Sequence, residues 1–481
     1  MQRQLDTGIL EEFAGRMGGA VVLPADADYD HARGVWNGAH DRRPRLVVRC
    51  RTQSDVVKTV NFARHQGMLL AVRGGGHSIA GFSTCDGGVV LDTGPMNGVR
   101  VDQPAARVHV QGGCLWRDVD AATQQYGLAV TGGLVSSTGV AGFTLGGGIG
   151  WLARKVGLAA DNLLSADVVT ADGQTLLASP ASHPDLFWAL TGGGGNFGVV
   201  TRFELALHHI GTSVNAGVVL YPGEEAEEVV SRYALACTTA EDAMTGVLKL
   251  TTIPATAAIP SALHGRSALA LIGCWAGEPE AAEEGTTPFR HLGTVLSDTF
   301  AERDYTQWQQ ALDPAFPRGQ HNYFRAVFVA DLGATEAGIL KLAAATLPNA
   351  LTEVVIHQLG GAVARVPHLA TAFANRDATH IVNVIARTST AAGFASVRTW
   401  ARELTRALRP GGATYVNFTG EPDADLTQRS YPEPTYRRLV SVKDRYDPDN
   451  LFRLNQNIPP STGSEAEDPT VPVPALDTHT P

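Results

Sequence analysis

At 481 residues, with 44% hydrophobic and 18% charged residues, the chain has room for two or three core-forming units and the balance of a well-buried globular protein. Its formal net charge of −10 argues against a nucleic-acid partner, because a phosphate backbone is bound by a basic surface. Five scattered cysteines without a CxxC pair indicate neither a zinc centre nor a disulfide framework, and single buried thiols are expected. The sequence holds no eighteen-residue apolar run and no signal-like apolar start. No membrane span and a cytoplasmic setting are therefore the expectation.

In chain order, a short amphipathic helix is predicted over 9–17 and a strand over 45–50. A helix then starts at Ser54 or Asp55 as N-cap and ends at Gly67. The apolar run 68–72 reads as a buried strand that empties into Arg73-Gly74-Gly75-Gly76-His77-Ser78. Glycines leave amide N–H groups uncovered, and successive N–H groups in a turn form a concave anion site. Arg73 would add planar donors suited to phosphate, the alternative being a plain tight turn. Strands follow at 87–92 and 107–113, then a helix over 116–126 closed by Gly127. A second glycine cluster, 139–150, lacks the Lys-Ser/Thr of a P-loop and the strand-GxGxxG context of a dinucleotide-binding fold. Its glycines suit helix packing or backbone contact with a large planar ligand. A strand entered through 161–164 ends in a turn at 170–173, and a third cluster, 191–201, opens another strand. One extended ligand passing between the three clusters is the economical reading.

From 209 to 410 glycine clusters give way to strands (216–220, 247–252, 268–275, 323–328, 353–359, 380–386) alternating with helices (224–236, 278–292, 335–347, 393–408). The second helix is expected to break at Gly285 and Pro288. This describes an α+β unit whose sheet is covered by helices on one side, its other face free to meet the first unit and form a cleft. Residues 415–418 read as a short strand, 437–446 as a helix, and the Pro- and acid-rich 461–481 as a disordered tail.

Seven stretches then stand in an order that is specific when taken together: RGGGHSIAG (73–81), CDGGVVLD (85–92), GVAGFTLGGGIGWLARKVGLAADNL (139–163), HPDLFWALTGGGGNFGVVT (183–201), GGAVARVP (360–367), YVNF (415–418) and YDPDNLFRLNQNIPP (446–460). On these the sequence resembles the berberine-bridge-enzyme-like flavoprotein oxidases, within the vanillyl-alcohol-oxidase/PCMH-type FAD superfamily. It looks especially like bacterial members of secondary metabolism, among them a polyketide-oxidising one. The resemblance implies an α+β architecture with a two-subdomain PCMH-type FAD-binding domain in 1–208 (core about 41–208) and a substrate domain in 209–410 with an antiparallel sheet covered by helices. Residues 411–460 would return to the FAD domain. It implies FAD as cofactor, carried on His77 by an 8α-histidyl bond, where the bland alternative is a solvent-exposed loop histidine. The cofactor contacts it implies are Arg73, Gly74, Gly75, Gly76, His77, Ser78, Gly132, Ser137, Gly139, Gly142, Gly146, Gly147, Val200, Tyr415, Asn417, Asn455 and Gln456.

Two departures from the family pattern matter. Val135 occupies the position where many members place a second, cysteinyl attachment, so a single covalent link is expected. Phe418 stands where plant members often carry a tyrosine base, so the base must lie elsewhere. Tyr415 and His357 are the catalytic candidates. Glu353 and His357 share one strand face by period-2 alternation, against the alternative that His357 is a surface or edge-strand residue. Arg154, Trp151 and Arg365 read as packing or surface residues, and no metal site is indicated. The implied reaction is hydride transfer from a small secondary metabolite, a polyketide or an aromatic alcohol, to FAD with O2 as acceptor. Oxidation of amines or sugars by the same machinery, or a dehydrogenase that excludes O2, are the alternatives. The expected partners are the small substrate and O2, and the oligomeric state is open.

Overall fold

Leu46–Arg49, Leu70–Arg73 and Val89–Asp92 are too short and too apolar to be anything but buried strands, and in the computed structural model they are. The structure describes residues 7–255, 259–409 and 411–461, so the predicted tail lies outside the described residues from 462 onward. The three strands run parallel with Val89–Asp92 in the middle, and Ala20–Val22 adds an antiparallel edge. Parallel neighbours need a crossover, supplied by the helix Gln53–His65. Its N-cap is Thr52, not Ser54 or Asp55. The Thr52 hydroxyl accepts from the Asp55 amide and the Asp55 carboxylate accepts from the Thr52 amide, a reciprocal capping box.

A second sheet orders Val99–Asp102, Arg107–Gln111, Val199–Ala206, Leu163–Val169 and Thr175–Ala178, all antiparallel. The third is an eight-stranded antiparallel sheet whose central strands are Ser267–Trp275, Met244–Thr252, Glu353–Gln358 and His380–Thr388, with His321–Val329 at one edge. Strict alternation divides its residues. Leu248, Leu250, Val354, Ile356, Val382 and Val384 pack under the helices Ala226–Thr239, Ala334–Ala345 and Phe394–Leu408. Val247, Ile272, Val355 and Ile385 face the other way, toward Trp36, Ile79, Trp151 and Trp308. At about 1.5–3 kcal/mol per fully buried aliphatic side chain, both faces contribute to holding the sheet in place.

Three local expectations are corrected. Gly285 and Pro288 do not break the helix, which runs through both as Ala282–Arg290. Gly285 lets it lie on Trp275, where a Cβ would come within 2.0 Å of the indole, and Pro288 falls in its final turn. Val416–Phe418 is a 3-10 turn, not a strand. The final helix begins earlier, at Glu433, with a proline in its first turn.

Candidate active site

Between the glycine loops and the uncovered face of the eight-stranded sheet lies a cavity of about 370 Å³. A larger surface depression of about 600 Å³, beside Arg64, His183 and Arg453, holds none of the glycine loops. One wall of the inner cavity is backbone. The amides of Gly74, Gly75, Gly76, His77 and Ser78 donate no hydrogen bond within the described chain. Five successive uncovered N–H groups at a cavity lip form the nest that an anionic group fills. The glycines have two separate reasons. A Cβ on Gly75 would sit 2.5 Å from the Gly139 nitrogen and one on Gly139 2.4 Å from the Gly75 nitrogen, so these two permit the first and second loops to touch. Gly142 and Gly195 have nothing within 4 Å of such a Cβ and line the cavity. Gly76, at φ +70°, is where the loop needs the left-handed region.

His77 stands at the end of this loop, its ring stacked on Trp36 at 4.8 Å. Its Nε2 shares a 2.9 Å hydrogen bond with Ser137 Oγ, and its Nδ1 has no partner among the described residues. Burial, and then the Arg318 charge, push its pKa down to about 4, so the imidazole is neutral at pH 7. It is no solvent-exposed loop residue. Arg73 lies under the loop. Its guanidinium donates to Asp92 at 2.8 Å in a buried pair, and it is absent from the cavity lining. Val135 lines the cavity.

The opposite wall is side chain. Glu353, Val355 and His357 point into the cavity from an interior strand, flanked by Met244–Thr252 and His380–Thr388, so His357 is neither a surface nor an edge residue. Burial pushes the His357 pKa down to about 4, and its Nε2 has no hydrogen-bond partner. The Phe418 ring packs 5.3 Å from it. Lys249 and Asn383 complete the polar groups of this wall.

The chain's later residues close the cavity. Asn417 lines it and donates from Nδ2 to the Phe143 carbonyl and to Tyr415 Oη. Tyr415 is buried behind the lining. Its hydroxyl also accepts from the Gly148 amide, and burial pushes its pKa up to about 12. Asn455 and Gln456 line the cavity, and Asn455 Oδ1 is buried without a partner. They are held by a pair that sequence reasoning missed. Lys443 and Asp447 are fully buried, with the ammonium donating to Asp447 and to the Asn196 and Phe452 carbonyls. Asn196 in turn accepts from the Ile458 amide and donates to the Gln456 carbonyl. A lysine four residues before an aspartate inside an apolar helical pattern was the available signal. Of the remaining candidates, Gly132, Ser137, Gly146, Gly147 and Val200 lie outside the lining. Gly146 makes room for Asn417, where a Cβ would come within 2.3 Å of Oδ1. Val200 is core. Arg154 is buried on backbone carbonyls and Arg365 is exposed on Asp242.

The uncovered amides, the open faces of Gly142 and Gly195, and the orphaned Asn455 Oδ1 fit a ligand with an anionic segment and a flat polar ring system. Comparisons with known proteins agree. A family model described as an FAD binding domain matches residues 44–179, and one described as berberine and berberine like matches 414–459. The chain is 32% identical over 473 residues to the (R)-6-hydroxynicotine oxidase of Paenarthrobacter nicotinovorans, covering 92% of this chain and 97% of that protein. The crystal structure of 6-hydroxy-D-nicotine oxidase from Arthrobacter nicotinovorans superposes with a TM-score of 0.82 at 29% identity, over 92% of this chain and 98% of that one. That of aclacinomycin oxidoreductase superposes at 0.79 and 26% identity, over 92% and 99%. The fold and site define an FAD-linked oxidoreductase with a PCMH-type FAD-binding domain. The chain belongs to the berberine-bridge-enzyme-like family of these enzymes.

Proposed function

We propose that the protein is an oxidase of a small hydroxylated secondary metabolite, a polyketide or an aromatic alcohol, with FAD carried on His77 by a single covalent bond and O2 as electron acceptor. The observation that carries the attachment is the state of His77: a neutral imidazole at the cavity lip, anchored through Nε2 on Ser137, with Nδ1 left free as the nucleophile. Val135, with no thiol to offer, supports one link and not two.

FAD, when bound, accepts a hydride from a substrate carbon and passes the electrons to O2, releasing H2O2. The chain supplies the rest. The amides of 74–78 hold the anionic segment, and Asn417, Asn455 and Gln456 orient the flat ring system. His357, neutral and unpartnered, takes the proton from the substrate hydroxyl, while Phe418 shields it from water. The Tyr415 hydroxyl stays protonated and positions Asn417 and the second glycine loop. A second reading, amine oxidation, draws support from the substrate in the name of the nicotine-oxidising relative.

The purified protein is expected to be yellow, and acid precipitation to leave the colour in the pellet; colour in the supernatant refutes the His77 bond. Screening alcohols, amines and sugars for H2O2 release decides the substrate class. Slow reoxidation by O2 after reduction would rule out an oxidase.

A further inference from the structure

The sheet-side wall carries a charge arrangement that says more about the substrate than its family does. Among the cavity-lining residues Lys249 is the only cation and Glu353 the only carboxylate. Lys249 Nζ lies 3.0 Å from Glu353 Oε1, and the same oxygen accepts from Arg387 Nη2 at 2.6 Å. Arg387 stands behind Glu353, spending its other donors on the Leu351 and Ala315 carbonyls and stacking over Phe316 at 4.7 Å. Two cations against one carboxylate leave one net positive charge. Because Arg387 is only 2% exposed and each of its three nitrogens already donates, that charge is presented to the cavity by Lys249, which has no other polar partner among the described residues. His357 adds none, being neutral.

The wall also holds unfilled acceptors. Glu353 Oε2 and Asn383 Oδ1 are buried without hydrogen-bond partners, on residues 4% and 1% exposed. A buried acceptor left empty costs free energy, so a ligand hydroxyl that fills it is selected for. Between these groups the wall is apolar: Val247, Ile272, Phe324, Val355 and Ile385.

From this geometry we infer that the sheet-side wall selects a hydroxylated substrate with an acidic oxygen (a phenol, an enol or a carboxylic acid) held as its oxyanion on Lys249, and turns ammonium compounds away. The inference rests on the cavity assigned above and sharpens the substrate class within it. An ammonium ligand would meet a carboxylate already neutralised from two sides and would be repelled by Lys249. An oxyanion gains the lysine without displacing Arg387 from Glu353. Its remaining hydroxyls reach Glu353 Oε2 and Asn383 Oδ1.

The test uses the flavin-loaded protein and two probes of equal size and opposite charge, benzoate and benzylamine, titrated by calorimetry at pH 7. Benzoate should bind about tenfold tighter or better, the scale of one uncompensated charge in a partly buried site. Lys249→Met should erase the preference, Lys249→Arg should keep it, and Glu353→Gln, which adds a net positive charge, should strengthen benzoate binding. Thermal unfolding checks that each variant is folded. Benzylamine binding as tightly as benzoate, an absence of benzoate binding, or an unchanged preference in a folded Lys249→Met protein overturns the inference. The readout is independent of turnover. If no alcohol releases H2O2 while the charge preference stands, the oxidase reading fails and this one holds. If alcohols turn over and the preference is missing, the reverse is true.

Discussion

The two walls of the cavity are built from different materials. The loop wall, 74–78 with 139 and 142, offers backbone amides and the open faces of glycines, and its one reactive side chain is His77. The sheet wall offers side chains alone, spaced two residues apart on neighbouring strands: Lys249, Glu353, Val355, His357, Asn383 and Ile385. Gly75 and Gly139 tolerate no substitution, because a Cβ at either collides with the facing main chain. A sheet face tolerates exchange at every second position without disturbing the core behind it. On the proposed assignment, the cofactor side is held by packing at Gly75 and Gly139, and the substrate side is free to change chemistry on a constant frame.

That contrast can be broken at specific residues. The largest effect is expected at His77. His77→Ala should lose all covalently held flavin, read as the loss of flavin fluorescence from the denatured protein on a gel, with no second tether to retain it. Retained covalent flavin would show that the loop wall is not the attachment wall. Next comes His357→Gln on the sheet wall, which should lower kcat by about 10²–10⁴, the usual contribution of a positioned base, while flavin content stays full. A loss of flavin instead would mean the two walls do not divide cofactor from substrate. Gly142→Val should fill the space next to the loop wall and cut flavin content severalfold, with little change in the thermal stability of the flavin-free protein, since its Cβ meets nothing.

The smallest expected effect is on acid stability. Burial holds His77 and His357 down to about 4 and His380 to about 3. In the unfolded chain a histidine titrates near 6.5. Between about 6.5 and about 4 the unfolded state binds protons that the folded state does not, so stability falls as pH drops through that window. Each such histidine adds about 1.4 kcal/mol per pH unit to the slope. Denaturant titrations across the window should show it, and His357→Gln should flatten the slope by about one proton.

The loop wall was largely legible in the sequence because backbone approach demands glycine, and glycine clusters are visible one residue at a time. What that reading missed was which glycine served which neighbour. Gly75 and Gly139 face each other, not the ligand. Arg73 looked like a phosphate donor because its partner, Asp92, comes into register only when two parallel strands pair. The sheet wall was half legible. Period-2 spacing put Glu353 and His357 on one face, but strand order decides whether that face is interior, and no local signal carries strand order. For the same reason Lys249 and Asn383, on two other strands, did not stand out. The YVNF stretch reads as a strand by composition, yet Tyr415 Oη and Asn417 Nδ2 are taken up by the second glycine loop, which bends it into a 3-10 turn.

The buried Lys443–Asp447 pair has a consequence for how the protein is made. Through Asn196 it fastens residues 452–458 across the third glycine loop, and Asn455 and Gln456 become part of the cavity only once that clasp has closed. The loops that touch one another, around Gly75 and Gly139, are synthesised long before the strip 452–458 that finishes their wall. A chain halted before residue 443 would therefore carry its first two glycine loops but leave the cavity open on one side.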